Sequence, residues 1–401
     1  MSFTPKQRVL MRESRGRAHV YTVLFPDPFT PIGIREDQAR SLRVGIAYKD
    51  GKVRNDFDRI PIFQRPIFNA TWSVKKRQWE DFVPYGASGF TWSPTEAMRE
   101  VVYRCYPFWY QLDMSGEYGP YRVSVSDRPL EGFTLAPMFR TGKVPVHRPV
   151  FEMTIDENRI PHSRAGAMPY ISNPDDLMDM AWRFDETAAR LESVRDWFSD
   201  ALLQLVEFAR WDVGTVMPGN RSDTITKTGE GIIGTEASLS DRGNGYGCVW
   251  RGKENPWKNV NSYLCDLLGK KQVVDDGSTR VMLYYLKDAF YYDGDLNEYY
   301  KEVGSYVSRD MGHVEVGGWQ LSSVGIMYPS KEIAKGIVAK AMACLACESN
   351  REYAIHVGVG GGCGNILLPS TVPSSPFHWE AVQRSCDGYE HFGGRLVLEE
   401  E

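Results

Sequence analysis

The stretch 248–260, CVWRGKENPWKNV, constrains the fold more than any other part of this 401-residue chain, and we call it the central turn. Val249 and Trp250 are residue types that favour strands. Gly252 and the pair Asn255–Pro256 are typical of turns, because glycine and proline interrupt regular elements. We therefore expect a turn between two ordered elements, around which one domain of the chain is organised.

Apolar residues after Gly252 recur at the spacing of a short helix, which predicts one buried side for that segment. The largest, Trp257, should lie beneath the turn. Arg251 and Glu254 are placed to pair across the turn, and an exposed pair of this kind adds little stability. The apolar residues of the segment are Trp257, Val260, Tyr263 and Leu264.

Two segments predict the helices of a core. In NPDDLMDMAWRF, Asn173 is placed to cap a helix that has Pro174 in its first turn. The second helix is expected over about 193–210 and keeps one apolar face. A shorter helix is predicted at SPTEAMREVVY, where Ser93 is the candidate N-cap. A further helix is predicted over about 330–346 from its composition.

The first part of the chain alternates strand-like segments with glycine and proline, as in HVYTVLF, SLRVGIAY, YRCYPFWYQL and YRVSVS. A loop at 160–170 follows these segments. We predict an N-terminal arm over 1–45, a β-rich domain over 46–160 and a third domain over 161–401. Helices combined with strands give the third domain an α+β arrangement.

One aromatic cluster in these strands permits two interpretations. Its rings could form a platform for a sugar, or they could alternate along a strand and fill two packed faces. We favour packing, because large aromatic residues dominate cores as well as sites. The cluster consists of Tyr106, Phe108, Trp109 and Tyr110.

The composition argues against several classes of protein. A net charge of −5 without a strongly basic block gives no sign of nucleic-acid binding, and no apolar run reaches the length of a membrane span. The N-terminus lacks the apolar core of a secretory signal. Seven cysteines, an odd number without framework spacing, indicate free thiols and a chain folded in a reducing cytosol.

No group of residues carries the signature of a catalytic or metal site. Cys344 and Cys347 form a lone C-x-x-C late in a predicted helix, where packing is the better interpretation. The histidines lack the i, i+4 pairing of a helical zinc site, and no carboxylates have calcium-ligand spacing. Asp175 and Asp176 have a capping explanation. We expect no enzymatic activity, no cofactor and no metal.

The central turn also resembles a known family. VWRGKENPWKNV is similar to the R-G-I-E-N-[LF]-[WY]-G-N-[IV]-W signature of phage and prophage proteins with a C-type-lectin-type fold. Similar pieces follow the family's order from about residue 44 to residue 398, among them NDFDRIPIF, YPFWYQ, SDRPLEGFTLAPMF, DWFSDALLQLVEFARWDV, GHVEVGGW and HFGGRLVL. The signature departs at 258–261, KNVN, where its closing aromatic is absent and Tyr263 is the candidate replacement.

The resemblance implies a C-type-lectin-type domain over 161–401, in which two helices lie on a small, twisted, mostly antiparallel sheet. Such a domain binds a ligand without enzymatic chemistry. The family overlaps the variable proteins of diversity-generating retroelements, and a tail-associated adhesin is the implied function. The implied partners are a host-cell surface protein or glycan, other virion or tail proteins, and further copies of the chain, with a trimer as one expected form. The implied location is a phage virion assembled in the bacterial cytoplasm, or the bacterial surface for a prophage protein.

Two alternatives stay open. The family is distantly similar to formylglycine-generating enzymes, in which two nearby cysteines bind copper and oxidise a substrate cysteine. Cys363 follows a glycine-rich segment here, but the next cysteine, Cys386, lies well downstream. A purely structural virion component is the other alternative.

The segment 363–391 mixes aromatic and adaptable polar residues with little periodicity, which is typical of binding loops on a rigid scaffold. An ordinary surface loop is the alternative. The resemblance places the family's variable binding positions here, at His378, Glu380, Val382, Gln383, Asp387, Tyr389 and His391. It implies core positions for Trp250, Trp257, Phe377 and Arg395.

Overall fold

Strands dominate the chain. The computed structural model describes residues 18–44, 46–47, 53–140, 144–217, 224–233, 248–273, 279–287, 292, 296–308, 312–332, 341–345, 355–359, 378–383 and 392–400. Within these ranges there are two α-helices, α1 (Pro174–Phe184) and α2 (Val194–Phe208), and the remaining regular elements are strands and short 3₁₀ turns. The coarse α+β class is therefore confirmed.

Two antiparallel sheets lie in the N-terminal half. The first, the N-terminal sheet, has the order β10 (Thr134–Leu135), β8 (Trp109–Asp113), β9 (Arg122–Ser126), β1 (Val20–Leu24), β2 (Ile34–Asp37). The second has the order β11 (Val146–Pro149), β7 (Arg99–Cys105), β5 (Ile67–Ser73), β6 (Gln78–Pro84). The strand predicted in HVYTVLF is confirmed as β1, which lies inside its sheet between β2 and β9.

The C-terminal sheet is larger and curls. Its order is β19 (Tyr300–Ser308), β18 (Thr279–Leu286), β17 (Asn261–Val273), β23 (Ile355–Val359), β24 (His378–Gln383), β22 (Ala341–Leu345), β20 (Gly312–Leu321), β21 (Met327–Glu332), with β25 (Phe392–Gly393) paired to β17. Tyr328 of β21 packs over Gly304 of β19, where a Cβ atom would lie only 2.2 Å from the ring. Glycine at this position therefore lets the two ends of the sheet approach each other.

Short two-stranded ladders connect the larger sheets. They are β3 (Ile46–Ala47) with β4 (Val53–Arg54), β12 (Thr154–Ile155) with β13 (Pro161–His162), β14 (Ala189–Leu191) with β26 (Leu396–Leu398), and β15 (Val249–Trp250) with β16 (Lys253–Glu254). The 3₁₀ turns are Asp56–Arg59, Pro61–Phe63, Pro137–Phe139 and Val213–Thr215.

Both α-helices begin where the sequence predicts, because each N-cap side chain binds a backbone amide. The Asn173 side chain accepts from the Asp176 N–H at 3.0 Å at the start of α1. Ser193 and Asp196 form a reciprocal capping box at the start of α2. Neither helix is long and apolar enough to span a membrane, which holds for every helix in the described ranges.

Helix α2 lies between the N-terminal and C-terminal sheets, whereas α1 packs on the other face of the C-terminal sheet. Strand β17 shows the consequence. Leu264 and Leu267 join the apolar cluster around α2, while Tyr263 and Cys265 join the cluster around α1. The α2 cluster takes residues from both sides of the boundary predicted at 160–170, from Tyr21 to Trp379. The division into domains stays a prediction.

Three helix predictions are wrong. The segment after Ser93 enters strand β7, whose valines and tyrosine fit a paired, half-buried surface better than a helix. Asn261 to Leu264 belongs to strand β17, buried on both faces, so its apolar residues do not mark a helix. In 330–346, the described parts are strands β21 and β22. Sheet pairing outweighs the helical preference of alanine there.

Candidate ligand-binding strand and its scaffold

The first four predicted binding residues lie in strand β24, not in the loop that the sequence indicates. The strand pairs in parallel with β22 and antiparallel with β23, so its backbone is held on both sides. This pairing is the physical reason for the correction: a strand inside a sheet has both of its hydrogen-bonding edges occupied. Those four residues are His378, Glu380, Val382 and Gln383. The candidates Phe377, Asp387, Tyr389 and His391 lie outside the described residues and stay predictions.

Trp379 anchors β24 to helix α2. Its side chain is 1% exposed. Its ring meets the Trp197 ring edge to face at 5.3 Å and lies 6.3 Å from the Trp319 ring. Val359, the register partner of Trp379 on β23, is buried on the same side. The strand is thus attached to the helix through packed rings, an arrangement that favours a single position for its backbone.

The alternation of the strand divides the predicted positions between two faces. Successive residues of a strand point to opposite faces of a sheet. Positions 378, 380 and 382 therefore share one face, and position 383 shares the face of Trp379. Sequence reasoning placed all four on one exposed surface, and the register separates Gln383 from the others.

A hydrogen-bonded chain lies beside the Val382 position, on the same face of the sheet. His356, the register partner of Val382, is fully buried, and its Nδ1 lies 3.0 Å from the Tyr263 hydroxyl. The Tyr292 hydroxyl donates to Asp175 of α1 at 2.9 Å. Burial raises the pKa of Tyr263 and of Tyr292 well above their usual range, so both hydroxyls keep their protons. This chain joins the sheet to α1 through neutral donors.

Glu207 of α2 organises the central turn. Its carboxylate accepts from Arg251 Nε at 2.7 Å, Arg251 Nη2 at 2.8 Å, the Trp250 indole at 3.0 Å and Asn55 Nδ2 at 2.6 Å. Arg35 donates to the Glu207 backbone carbonyl. Glu207 is fully buried. Arg251 therefore pairs with the helix, and the predicted Arg251–Glu254 pair is wrong because Glu254 binds a different segment.

Lys253 continues this buried set of charges. Its ammonium group donates to Glu192 and, at 3.2 Å, to Asp200. The second oxygen of Asp200 accepts from Arg65 at 2.5 Å. Although burial opposes ionisation, Arg65 and Lys253 hold the pKa of Asp200 below its usual value. The Asp200 carboxylate is therefore negative at neutral pH and fixes the turn against α2.

Glu254 holds the only described part of the long 214–247 loop that lies beyond Met217. Its two oxygens accept from the backbone amides of Gly229, Gly231 and Ile232 at 2.7, 2.8 and 3.0 Å. Burial raises its pKa to about 7 despite these bonds, and the neighbouring Glu152 adds to the rise. Burial also raises the pKa of Glu152 to about 7. Two adjacent buried acids therefore titrate near neutrality.

The residues assigned to the core by sequence are buried where they are described. Trp250 and Trp257 are fully buried and Arg395 is 1% exposed. Trp257 donates its indole N–H to the Met217 carbonyl at 2.9 Å, as expected for a residue beneath the turn. Arg395 donates to the carbonyls of Val150 and Asn255 at 3.1 and 2.8 Å. The last strand is thereby tied to the central turn.

Sequence reasoning missed the buried charges although α2 carried a signal for them. Asp196, Asp200 and Glu207 are spaced at i, i+4 and i+11, which places them along one face of a helix. This acidic face was hidden by the apolar pattern around it. Although burial opposes it, Arg148 and Arg190 hold the pKa of Asp196 well below its usual range. The acidic residues on this otherwise apolar helix therefore mark the face on which the arginine-bearing segments pack.

The described residues contain no group of three His, Cys, Asp or Glu side chains arranged to hold a metal ion. Cys105, Cys248 and Cys265 are free and buried. Cys363, Cys386 and Cys347 lie outside the described residues, so the copper alternative stays untested. Phe108, Trp109 and Tyr110 are buried, which confirms packing for these three rings, while Tyr106, the fourth residue of that cluster, is half-buried.

Comparison with known proteins adds no relative. No protein-family model matches the chain, and a search of curated proteins finds no match.

Proposed function

We propose that this chain is a non-enzymatic ligand-binding protein whose C-terminal part is a C-type-lectin-type domain. By the resemblance of its central turn, it is a phage or prophage tail-associated adhesin that acts as a homo-oligomer on a virion or a bacterial surface. Its ligand in this proposal is a host-cell surface protein or glycan. The resemblance supports the identity of the family, and the geometry supports the binding role.

One observation carries the binding role: strand β24 is held in place from three directions. Strands β22 and β23 occupy its two edges, and Trp379 packs on α2. Positions 378, 380 and 382 therefore have fixed spacing on one face. Sites on regular elements hold their residues more precisely than sites on loops. A rigid strand carrying histidine, glutamate and valine at alternate positions suits recognition of a surface rather than catalysis.

The scaffold supports the same proposal. Buried charge pairs join the central turn to α2 and to Glu192 just before it. They fix the turn in one geometry, since a displaced partner would leave an unpaired buried charge. Arg395 then ties the closing strand to that turn. The two segments that resemble the family most, the central turn and the closing strand, are thus in direct contact.

The test is adsorption of the labelled full chain to a panel of bacterial strains. The variant His378→Ala/Glu380→Ala should lose adsorption at least tenfold and keep its melting temperature. The matched control is Lys76→Ala/Glu80→Ala, which removes an exposed ion pair on β6 and the turn before it. Adsorption of the His378/Glu380 variant at the level of the parent would contradict the proposal, as would a parent that adsorbs to no strain.

A further inference from the structure

A cluster of three aromatic rings lies on the surface of the N-terminal half, in the loop after β6. The Tyr85 ring lies 5.3 Å from the Phe90 ring and 5.2 Å from the Trp92 ring, and Phe90 and Trp92 are 4.9 Å apart. Tyr85 is 44% exposed, and the other two rings are half-buried. Grouped exposed aromatic residues mark interaction sites more often than single ones do. We call this group the aromatic platform.

The platform is held in one shape by the residues beneath it. The Asn69 side chain accepts from the Thr91 N–H at 2.8 Å and donates to the Thr91 carbonyl at 2.7 Å. The Trp92 carbonyl accepts from the Ala165 N–H at 2.9 Å. The Trp92 ring packs edge to face on Phe151, which is fully buried. The rings are therefore ordered before any ligand arrives, which lowers the entropic cost of binding.

The chemistry around the rings is neutral and rich in hydroxyl groups. In the sequence 83–98, VPYGASGFTWSPTEAM, Glu96 is the single charged residue. Ser88, Thr91 and Thr95 are exposed in the same loop. A neutral saccharide matches this mixture, because its ring has a C–H face that packs on aromatic rings and a rim of hydroxyl groups. The loop 83–98 offers no basic side chain to an acidic partner, and Glu96 is its single charge for a basic one.

The size of the platform also favours a saccharide over a protein. Aromatic side chains carry roughly 150–250 Å² of surface each, so the exposed parts of the three rings amount to about 200 Å². A partner in a standard protein interface contributes about 800 Å². The rings cover about a quarter of that area, which is enough for one or two sugar rings and too little for a stable protein contact.

We propose that Tyr85, Phe90 and Trp92 form a binding site for a neutral saccharide. This site lies on a different sheet from strand β24 and does not depend on the proposed function. The three rings supply the stacking surface, and the flanking Ser88, Thr91 and Thr95 supply hydroxyl groups for hydrogen bonds. The site needs no metal ion, because the stacking and hydrogen-bonding groups are all side chains of the loop.

The experiment is affinity electrophoresis of the full chain in native gels that contain glycogen, hydroxyethyl cellulose or galactomannan, with hyaluronate as the acidic comparison. At least one neutral polysaccharide should retard the parent, and Tyr85→Ala/Phe90→Ala should abolish the retardation. Tyr85→Phe should keep most of it because the ring stays. The matched control is Tyr299→Ala, since Tyr299 is 47% exposed and lies at the start of β19; it should leave the retardation unchanged.

Four outcomes would overturn the proposal. In the first, no neutral polysaccharide retards the parent chain. In the second, only hyaluronate retards it. In the third, the double variant is retarded as much as the parent, and in the fourth its oligomeric size changes in sedimentation while its retardation stays the same. The melting temperature of each variant shows whether it is folded. If the double variant unfolds, Tyr85→Ser alone must lose retardation, because Tyr85 is the most exposed of the three rings. Bacterial adsorption by the His378/Glu380 variant is measured separately, so either proposal can fail without the other.

Discussion

The central turn and strand β24 are both held against helix α2, but by opposite means. The turn is fixed by charges: Arg251 on Glu207, and Lys253 on Glu192 and Asp200, all buried. Strand β24 is fixed by neutral rings, with Trp379 against Trp197. A buried charge pair tolerates few substitutions, because the loss of one partner leaves an unpaired buried charge. Packed rings can be exchanged for rings of similar size at a smaller cost in stability.

This difference separates a region whose geometry is fixed, the central turn, from a region that accepts substitutions, strand β24. The turn determines how the helix, the 224–233 segment and the closing strand meet. The strand that carries the candidate binding positions is attached to α2 by ring contacts that depend on shape. A scaffold built in this way can accept substitutions on strand β24 while the turn stays the same.

The largest effect is expected at Glu207. Glu207→Ala removes the nearer of the two carboxylates at the buried Arg251 guanidinium and leaves it only Asp58 at 3.4 Å. Breaking a buried pair costs about 3–5 kcal/mol. The measurement is the free energy of unfolding in urea. Glu80→Ala is the control, because it removes an exposed i, i+4 pair with Lys76 and should cost less than about 0.5 kcal/mol. Equal destabilisation by the two variants would show that the turn is not fixed by its buried charge.

The second effect is a dependence of stability on pH that arises at the turn. Burial raises the pKa of Glu254 to about 7 from an ordinary value of 4.5, and the pKa of Glu152 rises likewise. The folded chain therefore holds protons that the unfolded chain releases between pH 4.5 and 7. The free energy of unfolding should fall as the pH rises through that window.

Glu254→Gln tests this prediction, because an amide cannot titrate. The difference in unfolding free energy between parent and variant should change with pH from 4.5 to 7, in favour of the parent at the acid end. Amide exchange of Gly229 and Ile232 should quicken in the parent as the pH rises, beyond the intrinsic increase, since their acceptor becomes a desolvated charge. A difference that is constant across the window would contradict the raised pKa.

Much of the scaffold could be predicted from sequence because the relevant signals are local. Asn173 and Ser193 mark the starts of both helices, and side-chain caps act within three residues. The turn at 248–260 was found from glycine, asparagine and proline, which set backbone angles directly. Trp257 was placed beneath it because a large apolar residue next to such a turn has to be buried somewhere.

The failures arise where a distant strand decides the local structure. Ala341 to Leu345 has a helical composition, yet it pairs with β20 on one side and β24 on the other. Composition cannot reveal those neighbours, which lie tens of residues away. His378 to Gln383 was expected to be a loop for the same reason, and its faces became defined only by the register with β23. The Glu207–Arg251 pair joins residues 44 positions apart.

The smallest expected effect comes from a matched pair of tryptophan substitutions, one in each region. Trp250 donates its indole N–H to Glu207 at 3.0 Å, and Arg65 lies over its ring at 4.4 Å. Trp250→Phe removes a hydrogen bond to a charged group, which contributes about 1.5–3 kcal/mol. Trp379 is equally buried, but its indole nitrogen has no hydrogen-bond partner among the described residues. Trp379→Phe loses only ring volume and should cost less than about 1.5 kcal/mol.

Both variants shorten an indole to a phenyl ring, so the loss of volume is common to them and cancels in their difference. Trp250→Phe should therefore be the less stable of the two by about 1.5–3 kcal/mol in urea unfolding, which is the contribution of its hydrogen bond to the carboxylate. Glu207→Gln made in each background sharpens the test. It should couple with Trp250→Phe, because the two residues share a contact, and should add independently to Trp379→Phe, which does not touch Glu207. Equal costs for the two tryptophans, or equal coupling to Glu207, would show that charge and ring contacts hold α2 in the same way.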